Sequence, residues 1–161
     1  RRMVEAGARF VTVLWDCPDG YSWDSHTGSH DVGKHLLPGL DQTLSALLTD
    51  MSDRGLLDET LVVCLGEMGR TPKAANANWG RGHWSHCFPA VLAGAGIRGG
   101  ITYGSSDKDA GYPADHPVSP ETLSATVFHA LGIAPEKRIL DALGRPVPVM
   151  AGGQPLTSLF G

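Results

Sequence analysis

Leu61-Val62-Val63-Cys64-Leu65-Gly66-Glu67-Met68-Gly69-Arg70-Thr71-Pro72 is the stretch whose reading decides the fold. Its first five residues are apolar, and Val62 and Val63 are β-branched. A run this short, without polar alternation, predicts a strand buried on both faces of a mostly parallel sheet. Gly66 and Gly69 bracket Glu67 and let the backbone turn, and Arg70 with Thr71-Pro72 opens a loop. Ligands of open α/β sheets bind beyond the carboxyl ends of strands, so Glu67 and Arg70 stand where chemistry is expected. The competing reading makes Glu67 a helix cap and Arg70 its local ion-pair partner.

Upstream, residues 9–15 (RFVTVLW) are rich in β-branched and aromatic side chains and read as a strand. A long polar loop follows, holding Asp16, Asp19, Asp24, His26 and His30. Leu37, Leu40, Leu44, Leu47, Leu48 and Met51 then recur at helical spacing, with Pro38 in the first turn and Gly55 as the stop. Strand, helix, strand in this order predicts a right-handed parallel crossover. Arg1 to Gly7 reads as the end of a helix already under way, so the chain is expected to be a fragment.

Downstream, a second polar loop carries Asn76, Asn78, Arg81 and His83, and Phe88 to Ala93 re-enters as a strand. Gly99-Gly100 predicts a tight turn into a short edge strand at 101–104. Ser119-Pro120-Glu121 opens a helix whose apolar face holds Leu123, Val127, Ala130 and Leu131, ending at Gly132. Val147 to Met150 reads as a last short strand.

The chain has 161 residues, 42% hydrophobic and 19% charged, which suits one domain spanning 1–161. A net charge of −4 without a basic run argues against nucleic acid. No apolar stretch reaches the roughly 18 residues of a membrane span. Three cysteines, Cys17, Cys64 and Cys87, do not suggest a disulfide framework.

Three strand-end loops each bring potential metal ligands: Asp24 and His26, then Glu67, then His83 with His86 beside it. Carboxylates and imidazoles together suit zinc, manganese or a similar divalent ion. Arg70 and Arg81 offer planar forks for phosphate or sulfate oxygens. Each residue also has a plainer reading: Asp24 as a turn residue, His26 and His30 as solvated loop groups, both arginines as partners of nearby carboxylates. Cys87 beside His86 suggests a thiol nucleophile, but Phe88-Pro89 places it at the entry to a core, where a thiol is inert. Trp15, Trp23, Trp79 and Trp84 flank these loops and read as packing lids.

The motifs WDSH (23–26), LLPGLDQTLSALLTDMSDRGLLDETLVVCLGEMGRTP (36–72), GRGHW (80–84), FPAVLAGAGIRGG (88–100), VSPETLSATVFHALGI (118–133) and LGRPVPVMAGGQPLTSLF (143–160) cover nearly the whole chain. Together they closely resemble the C-terminal half of the domain of unknown function 1501 family, which is similar to sulfatases and belongs with the alkaline phosphatase superfamily. The resemblance implies an α/β, alkaline-phosphatase-like, doubly wound and mostly parallel sheet, of which this chain is a partial, C-terminal portion. It implies two divalent metals, of which zinc, manganese, magnesium and calcium are the candidates, and a Ser or Thr nucleophile from an N-terminal half that this chain lacks. Asp24, His26 and His83 match the ligands of one metal, with His30 competing. Glu67-Met68 stands where the superfamily has Asp-His, and Met68 cannot replace a His for a hard ion. The implied activity is hydrolysis of a small anionic phosphate or sulfate ester, sulfated and phosphorylated glycans included, by an exported protein, the fragment alone being inactive. The alternative is a degenerate, non-catalytic member that binds a metal or ligand.

Overall fold

The computed structural model describes residues 1–15, 22–150 and 152–161; Asp16, Cys17 and Asp19 lie outside them. Among the described residues there are three α-helices: α1 (Arg2–Glu5), α2 (Leu37–Asp53) and α3 (Pro120–Ala130). One π-helical turn, Val32–Leu36, leads into α2. All three helices end in the same cap, with Gly7, Gly55 and Gly132 at positive φ just past the last turn. In each, the following residue donates its N–H back across that turn: Ala8 to Met3, Leu56 to Met51 and Ile133 to Phe128. A Cβ would strain that left-handed position, which is why glycine marks these ends legibly in the sequence. At the other end of α3, Ser119 Oγ accepts from the Thr122 N–H at 3.2 Å, as its place before Pro120 predicts.

Among the described residues eight short strands pair as four two-stranded ladders: β1 (Val62–Leu65) with β4 (Ala90–Ala93), β2 (Gly69–Arg70) with β3 (His83–Trp84), β5 (Ser105–Ser106) with β6 (Pro113–Asp115), and β7 (Arg138–Leu140) with β8 (Pro146–Pro148). Every one of these ladders is antiparallel. The run at 61–65, expected in a mostly parallel sheet, pairs antiparallel with β4: Val62 faces Ala93 and Leu65 faces Ala90. The connection from 66 to 89 folds back on itself through β2 and β3, and that return lets β4 run opposite to β1. Residues 9–15 join no ladder among the described residues, although their composition favours a strand. A strand needs a neighbouring edge for its N–H and C=O groups, and intrinsic propensity does not supply one. The edge strand expected at 101–104 lies instead at 105–106.

Burial is sparse. Leu36, Met51, Ala125 and Leu159 form the buried apolar set, while Phe10, Val13 and Leu14 are 79%, 83% and 87% exposed. The half-buried β1, with Leu65 exposed, corrects the expectation of a strand covered on both faces. The accessible surface is 11288 Å², against about 7700 Å² for a compact 17.0 kDa monomer. On α3 the buried residues are Ala125 and Thr126 rather than the expected Leu123, Val127, Ala130 and Leu131 stripe. The reason lies in the tail: Thr126 Oγ1 donates to the Thr122 carbonyl at 2.8 Å and accepts the Leu156 N–H at 3.0 Å. The tail continues to Phe160, which bridges Ile97.

Two outcomes follow. Replacing Ser119 by Ala removes the α3 cap and is expected to cost about 1 kcal/mol, read as a shift of the urea midpoint at unchanged slope. In the β7–β8 turn, Arg145 and Leu143 hold the Asp141 carboxyl below its usual range, first through the Arg145 backbone N–H and then through its guanidinium. A lowered carboxyl stabilises the hairpin fully above about pH 4 and loses that contribution as the pH falls through the lowered value. Amide-exchange protection of residues 138–148 should drop in that window, and Asp141→Asn should remove the dependence.

Candidate functional site

β1 delivers the chain to Gly66, and from there residues 66–89 build one lobe at its carboxyl edge. Arg70 and His83 are direct cross-strand partners in the β2–β3 ladder, which puts both side chains on one face of the ribbon. The ribbon is tight: a Cβ at Gly69 would lie 2.2 Å from the Cys87 carbonyl oxygen and 2.6 Å from that of Trp84. The loop between β2 and β3 is organised by Asn76. Its Oδ1 accepts the N–H groups of Asn78 and Gly80, and its Nδ2 donates to the carbonyls of His26 and Thr27 at 3.4 Å each.

Those last bonds bring in the segment carrying Asp24 and His26. It is fixed at three further points: the Arg81 N–H donates to the Ser25 carbonyl at 2.9 Å, Gly28 bridges Trp79, and Gly80 closes on His26. Ser25 is buried as a result. Asp24 and His26 thus meet Arg70, distant in sequence, from the opposite side. Sequence reasoning missed Ser25, Asn76 and Gly80 as the residues that assemble the site. The Asn-x-Asn-Trp-Gly pattern at 76–80 carried the signal, since Asn side chains close turns on their own backbone.

At the centre lies the Arg70 guanidinium. Its Nη1 is 3.4 Å from Asp24 Oδ1, and its Nη2 is 3.9 Å from Glu67 Oε1. Nη1 also lies 3.1 Å from His26 Nδ1 and 3.3 Å from Nε2. Asp24 Oδ1 contacts His26 Nδ1 directly and accepts the His26 backbone N–H at 3.1 Å. With the proton assigned to Nδ1 facing the carboxylate, Arg70 Nη1 is nearly equidistant from the two ring nitrogens and lies against the imidazole rather than on the Nε2 lone pair. The His26 backbone bond, then its ring, then the charge of Arg70 hold the Asp24 carboxyl below its usual range. The His26 and His83 ring centroids stand 4.6 Å apart, tilted by 54°.

The expected residues therefore separate into two groups. Asp24, His26, His83 and Arg70 adjoin, while Glu67 is 72% exposed and meets the group only through Arg70. Arg81 directs Nη1 to the Thr71 carbonyl at 2.9 Å and to that of Pro72, so this nitrogen braces the loop. His86 turns toward Trp84 and Tyr112. Among the described residues the side chains of His30 and Cys87 make no contact with the group, and Cys64 and Cys87 are free thiols. By donor chemistry, a carboxylate and two imidazoles fit a divalent ion, and a carboxylate on Nδ1 is how ligating histidines are commonly oriented. As arranged, no three His, Cys, Asp or Glu side chains among the described residues converge to hold a metal ion. Asp24 is engaged by His26, and Arg70 Nη1 lies beside both nitrogens of the ring.

A family model described as "Protein of unknown function (DUF1501)" matches residues 1–160. No curated protein and no solved structure matches the chain.

Gly80→Ala tests the junction. The added methyl would lie 2.1 Å from the His26 carbonyl oxygen and 2.4 Å from Asn76 Nδ2, an overpacking expected to cost about 1–3 kcal/mol. The amide signals of residues 24–28 and 76–83 should shift together, and retention of both sets unshifted would contradict the docking.

Proposed function

The chain belongs to the DUF1501 family, and we propose that it supplies the anion-recognising part of a metal-dependent hydrolase of phosphate or sulfate esters, on a doubly wound alkaline-phosphatase-like scaffold. The observation that carries this reading is the gathering of Asp24, His26 and His83 around the Arg70 guanidinium at the carboxyl edge of β1. Arg70 presents a planar fork suited to two oxygens of a phosphoryl or sulfuryl group, and its hydrogen bonds are charge-assisted. Asp24 contacts the His26 ring at Nδ1, and the His83 ring stands beside it. Gly69 and Gly80 let the backbone approach closely enough to hold these groups in place.

Asp24, His26 and His83 are the residues that would hold a divalent ion, with Glu67 left for a second. When bound, such an ion would polarise the ester oxygens. Arg70 Nη1 lies against the His26 ring, so an ion held by that ring would share its surroundings with the guanidinium. The activity of an exported enzyme on small anionic esters, glycan esters included, belongs to this proposal.

A second reading, an anion-binding member without turnover, is favoured by Met68, which offers no ligand beside Glu67, and by the exposure of Glu67. Metal content and phosphate or sulfate affinity of the chain, measured on purified variants, separate the two. The hydrolase reading expects a bound divalent ion that His83→Ala abolishes, and a loss of about 10- to 100-fold in anion affinity for Arg70→Gln with the ion retained. Anion binding without any metal would support the second reading. Metal stoichiometry unchanged in His83→Ala would defeat the ligand assignment.

A further inference from the structure

Trp79 stands at the tip of the β2–β3 loop with a backbone φ of +62°, in the left-handed region where glycine or asparagine is the usual occupant. It is the largest side chain type in the least accommodating conformation. The geometry is imposed from both sides. The Trp79 N–H donates to the Asn76 carbonyl at 3.2 Å, and the next residue, Gly80, has its N–H on Asn76 Oδ1 at 2.9 Å. Trp79 also bridges Gly28, two residues beyond His26. A smaller residue would satisfy every one of these backbone bonds, so they do not explain a Trp here.

Nor does burial explain it, because Trp79 is 54% exposed. The Arg81 guanidinium carbon lies 5.9 Å from its ring centroid, and Arg81 is itself braced on the Thr71 and Pro72 carbonyls. The ring is thus positioned by a fixed cation while much of its surface remains open to water. Through Gly80 and Gly28 its backbone is joined at two points to the segment that carries Asp24 and His26.

Resting on the anion-site reading above, we infer that Trp79 is a specificity-determining platform that stacks on the ring of a cyclic phosphate or sulfate ester whose anionic group is held at Arg70. An aromatic face packs against the flat C–H face of a sugar or against an aryl ring, and it gains little from a short acyclic chain. Arg70 reads the anion and Trp79 reads the ring.

The test uses the whole chain and calorimetric titration with inorganic phosphate, ethyl phosphate, phenyl phosphate and glucose 6-phosphate, repeated with the corresponding sulfates. The unaltered chain should bind at least one cyclic ester about tenfold more tightly than the ethyl ester. Trp79→Asn, which accepts a φ of +62° readily, should lose that preference while its affinity for inorganic phosphate or sulfate stays the same. Trp79→Phe should retain most of it. A preference for the phenyl ester alone identifies an aryl group, and one for the glucose ester alone identifies a sugar. Equal binding of cyclic and acyclic esters, or a preference that survives in Trp79→Asn, overturns this inference and leaves the anion site standing. Failure of the unaltered chain to bind any of these anions overturns both.

Discussion

The arrangement depends on one close approach, that of Gly80 to the carbonyl of His26, where no side chain larger than hydrogen fits. It locks the 24–28 segment onto the β2–β3 loop, and the surrounding bonds from Asn76 and Arg81 have that contact as their condition. Without it Asp24 and His26 would belong to a polar loop with nothing opposite. With it they face Arg70 and His83, whose own proximity is set by a single cross-strand pairing. Local backbone geometry thus substitutes for an apolar core in holding the site.

Electrostatics then decides what the assembled groups do. One guanidinium meets two carboxylates and the His26 ring, and the nearer carboxylate is that of Asp24. Asp24 is kept ionised mainly by the bonds His26 makes to it. Because Asp24 and Arg70 are partly solvated, this pairing fixes orientation more than it stabilises the fold. The result is a cluster whose positive charge sits among two carboxylates and two imidazole rings.

Much of the local structure was legible in the sequence. The helix ends at Gly7, Gly55 and Gly132, the Ser119 cap and the family resemblance all came from residue type at fixed spacing, where short-range chemistry dominates. A gathering of Asp24, His26, Glu67 and His83 was expected on condition that the strands were parallel, and of these Asp24, His26 and His83 adjoin. The described residues reach it instead through an antiparallel return between β1 and β4. Pairing direction depends on contacts far apart along the chain, and an apolar run such as Val62–Leu65 carries no mark of it. Arg81 as an anion ligand and Glu67 as a close ligand were read from residue type alone. The bonds that turned Arg81 toward the loop carbonyls, and the exposure of Glu67, depend on where those loops fold back. The doubly wound scaffold and the hydrolytic activity rest on the resemblance.

The openness around Phe10, Val13 and Leu14 has a thermodynamic consequence. The heat-capacity increment of unfolding and the denaturant slope both scale with the surface newly wetted when the chain opens. Here much of that surface is wet already. A flatter stability curve and a broader melt are therefore expected of the chain, and any cover placed over residues 9–15 would announce itself as a negative heat capacity of association.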